Sequence, residues 1–142
     1  MTDAVKSLKS LHTTLVDSRD GYHDAHQRAD EGHIKAMLVD LERERATFAA
    51  DVRTALMAHG ETLDEDGSIL ASAHRAFVGL KDSVTGSGDD AILSEIQRGE
   101  EHLLQKYEAA IEAASGADSA MLQSQRTAVQ SAITQVEARK AA

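Results

Sequence analysis

At 142 residues with 42% hydrophobic side chains and no proline, the chain is long enough to bury one core and has the composition of uninterrupted helices, not strands. The lack of cysteine excludes a disulfide framework, a thiolate nucleophile and any cysteine-ligated zinc or iron–sulfur centre. A net charge of −9, from 15 basic against 24 acidic residues, opposes nucleic acid and anionic membrane as partners.

From Asp3 to Ala29, Leu8, Leu11, Leu15, Tyr22 and Ala29 recur at helical spacing and predict a first long amphipathic helix. "ADEGH" breaks it, and a second helix is expected from about His33 to His59, striped by Ile34, Met37, Leu41, Phe48, Val52 and Leu56. Gly60 is a stop signal and Ser68 an N-cap for a shorter helix, Ser68 to Val84, marked by Leu70, Ala73, Phe77, Leu80 and Val84. "TGSGDD" closes that segment, with Asp89 or Asp90 capping the next long helix, whose face is Ile92, Ile96, Leu103, Tyr107, Ala110 and Ala114. "SGAD" punctuates again before a last helix striped by Leu122, Val129, Ile133 and Val136.

The connections set the topology. "ADEG" and "SGAD" are short enough to join antiparallel neighbours, whereas residues 60–88 can return the chain along the bundle. The expectation is one all-α domain over residues 1–142: a four-helix bundle with a single long crossover between the second and third long helices, carrying a short fifth helix. That is the connectivity of ferritin-like folds. No signal-type apolar segment opens the chain and no run nears the ~18 apolar residues of a membrane span, so a cytoplasmic protein is expected.

The segments "DSRDGYHDA", "ERERATF", "GSILASAHRAFVGLK", "TGSGDDAIL" and "RGEEHLLQKY" resemble the successive motifs of an uncharacterised bacterial ferritin-like family, a small domain of unknown function. The resemblance runs from about Leu11 to Ala110, and the last helix matches only in general character. It implies the bundle and suggests a stress-related setting; it implies no reaction.

A ferritin-like di-iron site needs inward carboxylates from four helices and a Glu-x-x-His from two of them. In "LVDLERERATFAADV", Glu44 falls between Leu41 and Phe48, and Glu100 falls between Ile96 and Leu103, so both are expected inward and at one level. Tyr22 and Tyr107 should lean toward them, giving two Glu–Tyr pairs. Thr47 and Leu103 stand where the two histidines would be, leaving two inward carboxylates where four are required. The preferred expectation is therefore a structural cluster in which Tyr22, Tyr107, Arg19, Arg45 or Arg75 satisfies the carboxylates. Its rival is an iron or manganese ion held by Glu44 and Glu100, with Tyr22, Tyr107 and His74 as accessory groups.

His74, beside the crossover stripe, is expected to be a half-buried structural histidine. His23 and His26, three apart, could pinch a surface metal with Asp30. Gly21 and Gly99, inside helices, suggest tight packing. Taken together, the residues point to a non-enzymatic binding or structural protein without a cofactor. The alternative is a ferritin-like redox or storage protein, which as an enzyme would be a carboxylate-bound metal oxidoreductase. Alanine-rich flanks leave room for a homodimer.

Overall fold

The computed structural model describes residues 2–62 and 88–140. These form four long helices: α1 (Asp3–Arg28), α2 (Gly32–Ala58), α3 (Asp89–Ala113) and α4 (Gly116–Arg139). The expected short helix Ser68–Val84, with His74 and Arg75, lies outside the described residues.

Local chemistry accounts for the boundaries. Thr2 caps α1, its hydroxyl accepting from the Val5 N–H at 3.2 Å. The chain leaves α2 through Gly60, whose φ of 83° costs no Cβ clash. No side chain caps α2 locally; instead the Asp89 carboxylate accepts from the Asp30 and Glu31 N–H groups at 2.9 and 3.0 Å. The aspartate expected to cap its own helix therefore serves the turn between α1 and α2.

That contact also fixes direction, because the start of α3 sits beside the start of α2. Lys9 pairs with Glu61 at 2.6 Å, bringing the start of α1 to the end of α2. His59 meets Asp118 at 2.9 Å, and Lys140 reaches Gln97 at 2.9 Å. Hence α1 and α2 are antiparallel, α3 and α4 are antiparallel, and α2 and α3 run parallel, as the short and long connections predict. Helix α1 packs on α2 and α3, and α4 packs on α3 with a lighter contact to α2. The parallel pair α2 and α3 thus faces across the bundle axis.

Most of the predicted stripe residues form the core, while Met37, Phe48, Ala114 and Ile133 are only partly buried against it. Leu8, Leu11, Leu15, Tyr22, Val52, Leu56, Leu103, Tyr107, Leu122, Val129 and Val136 are all buried, and each fully buried large aliphatic side chain contributes about 1.5–3 kcal/mol. The core is not continuous, however. One apolar cluster gathers Leu8, Leu11, Leu15, Val52, Leu103 and Leu122 toward the end where α1 begins. A second gathers Tyr22, Ile34, Leu38, Ile92, Ile96 and Val136 toward the other end. Between them, at mid-bundle, lies a band of polar side chains.

Tight packing does not account for Gly99. It is exposed, and a Cβ placed there meets nothing within 4 Å. Gly99→Ala is therefore expected to stabilise the protein by about 0.5–1 kcal/mol, through helix propensity and a less flexible unfolded chain. Urea unfolding checks it, and a loss of stability would show that the glycine is needed there.

Candidate functional site

The polar band is built around Arg45, whose side chain is completely buried. On α2 the inward residues are Leu38, Leu41, Arg45, Ala49 and Val52, a spacing of 3, 4, 4 and 3 that holds one helical face. Glu44 and Phe48 lie one position off this face. Phe48 is only partly buried and the Glu44 side chain is 36% exposed. This corrects the expectation that Glu44 points inward: the residue on the axis is its neighbour.

Glu100 is buried as expected, 1% exposed. Its carboxylate faces Arg45 across the bundle: Nη2 of Arg45 donates to Oε2, and Nε lies 3.4 Å from Oε1. Arginine's length lets it span from one helix to its diagonal partner, and its planar fork presents two donors to the carboxylate in a fixed geometry. Ser18 on α1 donates to Oε1 of Glu100 at 2.9 Å. The remaining guanidinium edge is taken by Glu44, Nη1 to Oε1 at 2.6 Å. One cation thus bridges both carboxylates, with the second carboxylate at the solvent boundary. Beyond it, Glu44 lines an open surface depression with His33, Asp40 and Arg139. Arg19, another of the expected partners, turns to Asp20 instead, at 3.1 Å.

Aromatic faces complete the surroundings of Arg45. Its guanidinium carbon stands 5.6 Å from the ring centroids of both Tyr22 and Phe48, within cation–π range. Burial alone would lower the guanidinium pKa; Glu100 opposes it, and the result lies above the ordinary arginine value, so Arg45 is held charged.

The two expected Glu–Tyr pairs do not form as such. Tyr22, expected beside Glu44, instead sets its buried hydroxyl close to the Glu100 carboxylate, short of full hydrogen-bond geometry. Burial, followed by the Glu100 charge, pushes its pKa well above the usual tyrosine value. Tyr107 donates to Oε1 of Gln125 on α4 at 2.7 Å, and the Gln125 amide reaches Asp51 at 3.2 Å. Burial raises the Tyr107 pKa too, Arg45 acting against the shift and Glu100 with it. Gln125 is 4% exposed and lies on the inward face of α4, an addition to the expected stripe of Leu122, Val129, Ile133 and Val136. Its spacing, three after Leu122 and four before Val129, is the signal that reveals it.

On the outer faces of α1 and α2, His23 and His26 converge with Glu42, not with Asp30. Asp30 lies beyond the end of α1, where its N–H bonds to Asp89.

A helical bundle in which the buried Glu100 carboxylate is met by a protein cation, and whose buried tyrosines sit against a polar band, is the class these features define. The chain belongs to the family described as Domain of unknown function (DUF2383), whose pattern matches residues 3–113. The match spans α1, α2 and α3 and stops before α4, in keeping with the weaker resemblance of the last helix. None of the curated proteins matches the chain. No helix among the described residues is long and apolar enough to cross a membrane.

Proposed function

We propose that this chain is a non-enzymatic bundle of ferritin-like connectivity, with a binding or structural role, in which an arginine-centred ion cluster stands where ferritin-like proteins place their metals. The observation that supports this reading is the position of the Arg45 guanidinium, between Glu44 and Glu100 and bonded to both. A buried carboxylate requires a counter-charge and hydrogen-bond donors. Arg45 supplies the charge and, with Ser18, the donors. An iron or manganese ion bridging the same carboxylates would have to displace a cation already bonded to both, and no Glu-x-x-His is present at either residue to hold it.

The reading is tested by adding iron(II) or manganese(II) to the metal-free protein and to Glu44→Gln and following thermal unfolding. A carboxamide keeps the shape of Glu44 but is a poorer ligand and lacks the balancing charge. The expected result is that any metal-induced change is the same in both proteins. A stabilisation by either metal that disappears in Glu44→Gln would overturn the proposal and put the redox or storage reading in its place.

A further inference from the structure

We propose that His23, His26 and Glu42 form a solvent-open site for one divalent transition-metal ion of the zinc class. The site is separate from the arginine-centred cluster, and the proposal does not rest on how that cluster is read. It draws two ligands from α1 and one from α2. His23 and His26 are three residues apart and share a face of α1. The antiparallel packing of α1 on α2 sets Glu42 opposite them. Nδ1 of His23 is 3.1 Å from one carboxylate oxygen of Glu42, and Nε2 of His26 is 3.0 Å from the other.

Each separation is a hydrogen-bond distance between an imidazole and a different Glu42 oxygen, and each also fits two ligand atoms sharing an ion. Two donors each about 2.1 Å from a metal stand ~3.0 Å apart at a right angle and ~3.4 Å apart at the tetrahedral angle. A ligand atom from each of the three residues lies within 4.8 Å of the other two. The imidazoles meet edge to face, with centroids 5.1 Å apart and planes at 83°, so they do not stack face on face. Gln27, one turn beyond His23, has its amide 3.1 Å from Nε2 of His23. When Nδ1 ligates a metal, Nε2 carries the proton, and the amide oxygen of Gln27 can accept from it after rotation of the amide.

Donor type selects the ion. Two imidazole nitrogens and one carboxylate suit zinc, cobalt(II), nickel, copper(II) or iron(II), and not magnesium or calcium, which take oxygen ligands. Three protein ligands leave at least one coordination position open. The His23 side chain is 55% exposed, against 21% for His26 and 25% for Glu42, so that position faces solvent and can take water or an anionic group.

The test is calorimetric titration of zinc chloride into the untagged full-length protein in a non-coordinating buffer, with His26→Gln, Glu42→Gln and Glu44→Gln in parallel. The expected result is uptake of one equivalent that weakens at least tenfold in His26→Gln and in Glu42→Gln and is unchanged in Glu44→Gln. A second measurement needs no variant. Of the seven histidines in the chain, zinc should shift the imidazole NMR signals of His23 and His26 first and most strongly. Absence of zinc uptake at millimolar concentration, equal uptake by His26→Gln, or shifts centred on other histidines would overturn the proposal.

Discussion

Glu100→Leu is expected to destabilise the protein by about 3–5 kcal/mol, because it leaves the guanidinium of Arg45 buried without the carboxylate that neutralises it on the axis. Glu44 remains bonded to the opposite edge of Arg45, but its side chain is 36% exposed and its charge is screened by water. Arg45→Met should cost a similar amount, by leaving the buried Glu100 carboxylate without its cation while the neutral Ser18 hydroxyl still donates to it. The double variant Arg45→Met, Glu100→Leu is expected to recover most of the loss, since a well-packed apolar pair avoids desolvating both charges. Urea unfolding of the four proteins gives the coupling energy directly. Additive losses in the double variant would mean that the two side chains do not act as a pair.

Alkaline pH should unfold the protein through its tyrosines. The chain has two, both are buried, and both have their pKa raised above 10, by burial first and then with Glu100 contributing to each. The sign follows from proton linkage. Below pH ~10 the phenols are protonated in folded and unfolded chains alike, and tyrosine contributes no pH dependence. Above it the unfolded chain loses both protons while the folded chain keeps them, so stability falls by up to ~1.4 kcal/mol per pH unit for each tyrosine, ~2.7 together. Absorbance at 295 nm should therefore stay flat as pH rises and then jump for both tyrosines at once, coincident with loss of helical circular dichroism. Tyr22→Phe should halve the tyrosine contribution to the slope. Titration of either tyrosine near pH 10 in the folded protein would contradict the burial on which this expectation stands.

Much of the fold is legible in the residues because α1 and α3 carry long apolar faces with sharp breaks between helices. Leu8, Leu11, Leu15, Tyr22, Ile92, Ile96, Leu103 and Tyr107 repeat at the helical period and all lie in the core. The centre of the site is harder to read. Glu44 and Arg45 are adjacent, ~100° apart around α2, and either can be set near the stripe according to whether Phe48 or Ala49 is taken to continue it. Phe48 is the larger apolar side chain and favours Glu44, yet Ala49 is the buried one. A long arginine is more commonly found reaching toward water; here it reaches across the axis because Glu100 lies at its level on a parallel helix, which only the tertiary arrangement establishes. The histidine pair on α1 is visible as a spacing, whereas its carboxylate depends on how α2 packs beside it. Asp30 is nearer in sequence and Glu42 nearer in space. The band between the two apolar clusters is likewise a product of packing, since no single helix displays it.

The polar band has a consequence for the alignment of the helices. Aliphatic stripes of Leu, Ile, Val and Ala are forgiving, and one helix can slide past another by a turn, about 5.4 Å, while still burying comparable area. A charged pair is not forgiving in this way. If α3 slid by one turn along α2, Glu100 would leave the guanidinium and face aliphatic side chains, while Arg45 would keep only its solvent-edge partner Glu44. Each displaced ion would cost several kcal/mol, comparable to the whole stability of a domain of this size. The contact between Arg45 and Glu100 therefore works as an alignment key that admits one longitudinal setting of a parallel, non-adjacent pair of helices.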